Sequence, residues 1–197
     1  MPLVADLTAP VLLMAMPQVL DPFFHRGVVL LLAHQEEGSF GFILNRPTGI
    51  RVAEVLRGME IAWKGESAEL AYFGGPVQPQ LGTVLWRPPA GDAGEGATEV
   101  LPGVAISQSV TDLQQLAEQP PPAFRLFLGY AGWGAGQLVE EILRNDWLTA
   151  PVRDDFVFGV PAERLWDEAL VSVGVDPAAL PSWTQSTHPE DGSEGAN

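Results

Sequence analysis

Asp21 and His25 stand four residues apart in the run Asp-Pro-Phe-Phe-His-Arg, a spacing that a short helical turn brings onto one face. A carboxylate that orients an imidazole can build a general base or a metal ligand. Arg26 follows directly, and Asn45-Arg46 closes a nearby apolar run, so cationic and amide donors accompany the pair. The set is incomplete as a catalyst. No H-E-x-x-H, no G-x-S-x-G and no second histidine at metal-ligand spacing goes with it. A purely structural role competes: Asp21 caps a turn, while Arg26 and Arg46 bridge loops to carboxylates. His34 ends a long apolar run and meets His25 only if the chain folds back, and His188 lies in a polar tail.

The second candidate region is Gly129 to Trp147, GYAGWGAGQLVEEILRNDW, in which Gly129, Gly132, Gly134 and Gly136 crowd between an apolar run and a helical pattern. Amides exposed at such a place can receive a phosphate or carboxylate. Yet neither G-x-x-x-x-G-K-[ST] nor G-x-G-x-x-G is present, and Gln137-Leu138 occupies the place of the phosphate-binding Lys-Ser/Thr. Close packing of Tyr130 and Trp133 on a sheet explains the glycines equally simply, and it is the favoured reading. The neighbours Glu140 and Glu141 point apart on a helix, so they read as a solvated face. Trp133, Trp147 and Trp166 fall on apolar faces and read as core anchors, whereas Trp63 and Trp86 have no clear place.

Composition narrows the partners. The chain has 197 residues, 46% of them hydrophobic, and a net charge of −15 from 25 acidic and 10 basic residues. Lys64 is its one lysine. Such a balance repels phosphate backbones, so direct nucleic-acid binding is disfavoured. The lack of cysteine excludes disulfides, thiolate metal sites and a cysteine nucleophile. The apolar N-terminal patches lack a basic region, carry Asp6 and are broken by Pro10 and Pro17. No uninterrupted apolar stretch reaches the roughly 20 residues needed to cross a bilayer. A cytoplasmic protein is expected.

The elements that must position these residues alternate along the chain. Val11–Ala15, Gly27–Ala33 and Phe40–Leu44 read as strands, the last two as a hairpin about a polar turn. Val52, Val55, Leu56 and Met59 mark a helix face. Strands are expected at 71–73, 83–86, 103–107 and 124–128, with a Gly/Pro-rich loop from Pro88 to Thr98. A helix opens near Ser109 and stops at Pro120-Pro121-Pro122; another carries Leu138, Val139, Ile142 and Leu143. The last runs from Pro161 to Gly174, with Leu165, Trp166, Ala169, Leu170 and Val173 inward. These interleaved elements indicate one α+β domain over residues 1–181, followed by a polar tail, 182–197, expected to be disordered.

Four ordered segments together resemble the bacterial YqgE/AlgH family: Met16-Pro17 through Asp21-Pro22-Phe23-Phe24-His25-Arg26, Gly41 to Asn45-Arg46-Pro47, Gly74-Gly75-Pro76-Val77, and the glycine cluster with its following Trp147. The family patterns look like AMP…DPxFxRSVVL, GxxxNRP, GGPV and GYAGWxxGQLExE, and the match runs from about Leu12 to Leu180 in their order. Gly27 stands where the family usually has serine, and Val139 where a glutamate usually follows Gln-Leu. The resemblance implies mixed strands in a bifurcated, barrel-like sheet with flanking helices. It also implies a cytoplasmic bacterial protein without an established enzymatic activity. The family's label, transcriptional regulator, is a name and not a mechanism.

The reading that results is a non-catalytic domain that binds a small molecule or a protein, with a regulatory role. Arg26, Asn45, Arg46, Gly75, Trp133, Gly134 and Gln137 are its expected ligand-binding residues, with no metal and no cofactor. A small hydrolase or metal-assisted enzyme using Asp21 and His25 is the alternative.

Overall fold

The structure is a computed structural model that describes residues 7–89 and 96–181. The tail from residue 182 and the centre of the expected Pro88–Thr98 loop lie outside the described residues. The first half of the chain forms the aliphatic side of the fold. Strand β1, Val11–Ala15, lies antiparallel to β2, Val28–Gln35, which turns at Glu36-Glu37 into β3, Gly38–Ile43. These strands read as unbroken apolar runs because both of their faces are covered. Leu12, Met14, Leu30 and Phe42 point into one core with Leu165 and Trp166, whereas Leu13, Val29, Leu31 and Ile43 point into another with Trp133, Leu138 and Trp147. That split is the two-residue alternation of a strand made visible.

The chain continues through β4, Pro47–Arg51, and helix α1, Val52–Arg57, to β5, Leu70–Phe73, and β6, Val77–Trp86. A tight hairpin follows, β7, Thr98–Leu101, with β8, Val104–Ser107, and then helix α2, Val110–Glu118. Ser109 caps α2 by accepting a hydrogen bond from the Asp112 amide, as its capping pattern predicts. Helices α1 and α2 cover a third core through Val52, Leu56, Leu113 and Leu116. The remaining elements are β9, Phe124–Gly134; α3, Gln137–Leu143; β10, Trp147–Ala150; α4, Asp154–Phe158; and α5, Ala162–Ser172.

Among the described residues ten strands join one sheet, ordered β10-β1-β2-β3-β9-β6-β8-β7, with β5 branching from β9 and β4 from β5. Strand β9 is the fork. Its C-terminal part pairs with β3 at Gly41↔Ala131, its N-terminal part pairs with β6 at Val84↔Leu126, and β5 runs parallel to it at Tyr72↔Phe127. The result is a curled half-barrel with flanking helices, which matches the bifurcated sheet that the family resemblance implies.

Two glycines make the fork possible. Gly129 has φ +70°, and a Cβ placed on it would lie 2.4 Å from the Gly75 carbonyl oxygen. A Cβ on Gly75 would lie 2.1 Å from the Tyr130 carbonyl carbon. Backbone touches backbone here, so neither position has room for a side chain. The glycine cluster is therefore mostly strand: β9 runs through Gly134 rather than ending at Leu128 as the sequence suggests. Strand β6 also begins earlier than expected, at Val77. Strands β4, β7 and β10 and helix α4, each of four or five residues, are additions to the expected elements, being too short to show a period in the sequence.

Candidate functional site

The Asp21–Arg26 turn joins β1 to β2, and its polar groups hold the turn together. Asp21 Oδ1 accepts from the backbone amides of Phe23 at 2.8 Å and Phe24 at 3.3 Å. His25 Nδ1 lies 3.0 Å from the Val19 carbonyl oxygen, which can only accept, so Nδ1 carries a proton. The carboxylate and the imidazole thus engage different backbone groups. Asn45 is buried and bridges the turn to β2: its Oδ1 accepts from the Val28 amide at 2.9 Å and its Nδ2 donates to the Arg26 carbonyl at 3.0 Å. Arg46 donates through Nη2 to the His25 carbonyl and through Nη1 to the Asn45 carbonyl. Partial burial lowers the pKa of its guanidinium.

Arg26 points the other way. Its guanidinium lies 4.4 Å from the centre of the Trp166 ring and 2.9 Å from Asp167 Oδ1. With His25 it borders a small cavity of about 200 Å³, walled by Trp166, Pro177 and Leu180. His34 does not approach His25; its Nδ1 pairs across the hairpin with Ser39 Oγ at 2.7 Å.

The glycine segment closes on itself as well. Gln137 Oε1 accepts from the Gly134 amide at 3.0 Å, and Gln137 Nε2 donates to Glu141 Oε1 at 2.9 Å. Glu141 Oε2 accepts from the indole N–H groups of both Trp133 and Trp147, each at 2.8 Å. The expected solvated face is therefore present only at Glu140, which is exposed, and Glu141 turns inward because two buried indoles need an acceptor. One sequence signal pointed to it: Gln137 and Glu141 are a helical i,i+4 pair, and Glu141 falls on the last glutamate of GQLExE. The Asp21–Arg26 turn and the glycine segment meet at Phe24, whose ring centre lies 6.1 Å from that of Trp133 and 5.7 Å from that of Trp147. The contact is aromatic packing. Gly75 is buried in the fork, and none of its neighbours is a ligand-facing side chain.

A wider concavity than the one at Trp166 lies elsewhere, among residues that the sequence does not single out as a site. A cleft of about 960 Å³ opens between residues 63–70, the Pro120-Pro121-Pro122 connector and the first residues of β9. Trp63 forms one wall, its ring 5.1 Å from that of Phe124 and its indole N–H bonded to the Glu66 carbonyl at 3.0 Å. Gly65 lies under that indole, where a Cβ would come within 2.3 Å of the ring. Arg125 enters from β9 with its guanidinium 4.2 Å from the centre of the Tyr72 ring, and it reaches the Val157 and Phe158 carbonyls at 3.4 Å each. Glu69 faces the same space. Burial raises the pKa of its carboxyl, while Arg125 pulls it back down and Glu66 adds to the rise. Neither Trp63 nor Phe124 could be joined to this cleft by local pattern, because the cleft exists only once β5 and β9 pair.

Among the described residues no three His, Asp or Glu side chains gather as metal ligands, and no helix is long and apolar enough to cross a membrane.

Residues 12–178 match the sequence model of the AlgH-like family, DUF179. The chain belongs to the AlgH-like family. It is 42% identical to a UPF0301 protein of Myxococcus xanthus, an alignment covering 87% of this chain and 94% of that one. A UPF0301 protein of Chromobacterium violaceum is 40% identical over 86% of this chain and 92% of its own. Among solved structures, this AlgH-like chain resembles the solution structure of AlgH from Pseudomonas aeruginosa, with a TM-score of 0.72, 35% identity, and coverage of 89% and 93%. A crystal structure from Corynebacterium diphtheriae shares the fold at a TM-score of 0.68 and 24% identity, covering 83% and 85%. The forked sheet is thus common to the AlgH-like fold, and the resemblance drawn from the four segments is borne out.

Proposed function

We propose that the protein is a non-catalytic binding domain whose small-molecule ligand occupies the cleft between residues 63–70 and Pro120–Arg125. One contrast supports this reading. The polar groups of the Asp21–Arg26 turn and of the glycine segment are bonded to their own fold, whereas Glu69 and Arg125 face a cleft of about 960 Å³ with much of their capacity unused. Aromatic walls with a few convergent polar groups are what a small-molecule site needs. Of the residues expected to bind a ligand, Arg26 keeps a direct role in this reading, beside the smaller cavity at Trp166. Asn45, Arg46, Gly75, Trp133, Gly134 and Gln137 frame the body that carries both sites, a unit we take as residues 1–181.

A net charge of −15 favours regulation through a protein partner over contact with DNA. A cytoplasmic setting goes with that role. A thermal-shift screen of metabolites against the full chain and Trp63→Ala tests it. A metabolite that raises the midpoint of the parent and not of the variant supports the cleft. No shift with any compound, or equal shifts in both proteins, overturns it.

A further inference from the structure

Two opposite charges enter the cleft without closing on each other. Strand β5 runs parallel to β9 with Tyr72 beside Phe127, which brings Glu69, one residue before β5, to the end of β9 that holds Arg125. They interact through space, yet Glu69 forms no ion pair and its carboxylate accepts no hydrogen bond among the described residues. Arg125 is held back over the Tyr72 ring, and its two carbonyl contacts are long at 3.4 Å. A half-buried carboxylate and an under-bonded guanidinium are thereby kept side by side and apart.

The rest of the wall narrows the ligand further. Lys64 is already paired with Glu118, so Arg125 faces Glu66 and Glu69 as the unpaired charges of the cleft. A purely anionic ligand would meet an excess of carboxylates, and a purely cationic one would leave the guanidinium unanswered. Pro120, Pro121 and Pro122 line the cleft without a backbone N–H, so these three residues donate no hydrogen bond to a ligand. Trp63 and Phe124 provide an apolar surface beside the charges.

We infer that the cleft recognises a small zwitterion of the α-amino acid type, its ammonium on Glu69, its carboxylate on Arg125 and an apolar or aromatic side chain against Trp63 and Phe124. This rests on the cleft being the recognition site. The ligand completes the ion pair that the fold holds open, which gives both charges a partner at once. Retaining Glu69 in a place that disfavours its charged form has a reason in such a ligand, because the ammonium restores the stabilisation that water no longer supplies.

Binding is read by two-dimensional amide NMR on the full chain with four probes: phenylalanine, phenethylamine, 3-phenylpropionate and the neutral N-acetylphenylalaninamide. Phenylalanine is expected to shift the amides of residues 63–70 and to bind about tenfold more tightly than either singly charged analogue, the size of one charge-assisted contact. Glu69→Gln should bring phenylalanine down to the affinity of 3-phenylpropionate. Arg125→Lys, which keeps the charge but not the fork, should weaken phenylalanine and leave phenethylamine unchanged. If the neutral amide binds as tightly as phenylalanine, the zwitterion inference is overturned and the cleft reading stands. If no probe shifts residues 63–70, the zwitterion inference is likewise overturned, and the cleft reading is decided by the thermal-shift screen alone.

Discussion

Trp133 and Trp147 donate to the same oxygen, Glu141 Oε2, each at 2.8 Å, with their rings edge to face at 5.8 Å. Both indoles are almost fully buried, so this carboxylate answers two donors that have left water. Glu141→Ala orphans them, at about 1–3 kcal/mol for each buried donor left unpaired. Glu141→Gln keeps an acceptor for the indoles but turns an amide nitrogen towards Gln137, so its loss should be intermediate. Urea unfolding followed by tryptophan fluorescence ranks the three proteins. Equal stability of Glu141→Ala and the parent would remove this network from the account of the fold.

Gly129 and Gly103 share the left-handed backbone and differ in what surrounds them. Gly103 has φ +69° and open space about it, whereas Gly129 has φ +70° and the Gly75 carbonyl 2.4 Å from its missing Cβ. Alanine at Gly103 should cost about 1–2 kcal/mol from its conformation alone. At Gly129 the overlap with backbone adds to that, for a loss of at least about 3 kcal/mol or no folded protein. Midpoints from thermal unfolding separate the two cases.

Asn45 joins two backbone groups that are distant in the chain, the Val28 amide and the Arg26 carbonyl. Asn45→Asp keeps the acceptor for Val28 but sets a carboxylate against the Arg26 carbonyl. That site raises the introduced group's pKa, so its destabilising effect is complete at neutral pH and fades as pH falls through the raised value. Asn45→Leu loses both bonds at every pH. A stability profile of the two variants relative to the parent should slope for the first and stay flat for the second.

Glu69 supplies a pH dependence of the native protein. Its folded pKa is raised by burial, so the folded state holds this proton more tightly than the unfolded chain. The charged form therefore destabilises the fold above the raised pKa, and the effect vanishes as pH falls below the ordinary glutamate range. Glu69→Gln should raise the unfolding midpoint at pH 7 and make no difference in acid. A variant less stable than the parent at pH 7 would mean that Glu69 has a stabilising partner.

Local pattern revealed the β2–β3 hairpin and α5 because each is long enough to repeat its period and is closed by Pro or Gly. It revealed the α2 cap, since Ser109 and Asp112 lie within one turn. The Gln137–Glu141 spacing hints at an inward Glu141, but the indole pair stayed hidden because one of its two members, Trp147, arrives on β10, whose four residues pair with β1 from the far end of the chain. The cleft was hidden for the same reason: Trp63 and Phe124 become neighbours only through β5 and β9. The Asp21–His25 spacing was legible, but sequence cannot tell a carboxylate that orients an imidazole from one that caps its own turn.

Strand β9 belongs to both branches of the sheet and comes late, at residues 124–134. On the ribosome, eight strands emerge before the one that joins β3 to β6, and their inner edges stand open until it arrives. Long-range pairing of this kind slows folding, and open edges invite pairing with other chains. Synthesis halted before β9 should therefore release a sticky fragment rather than a working half.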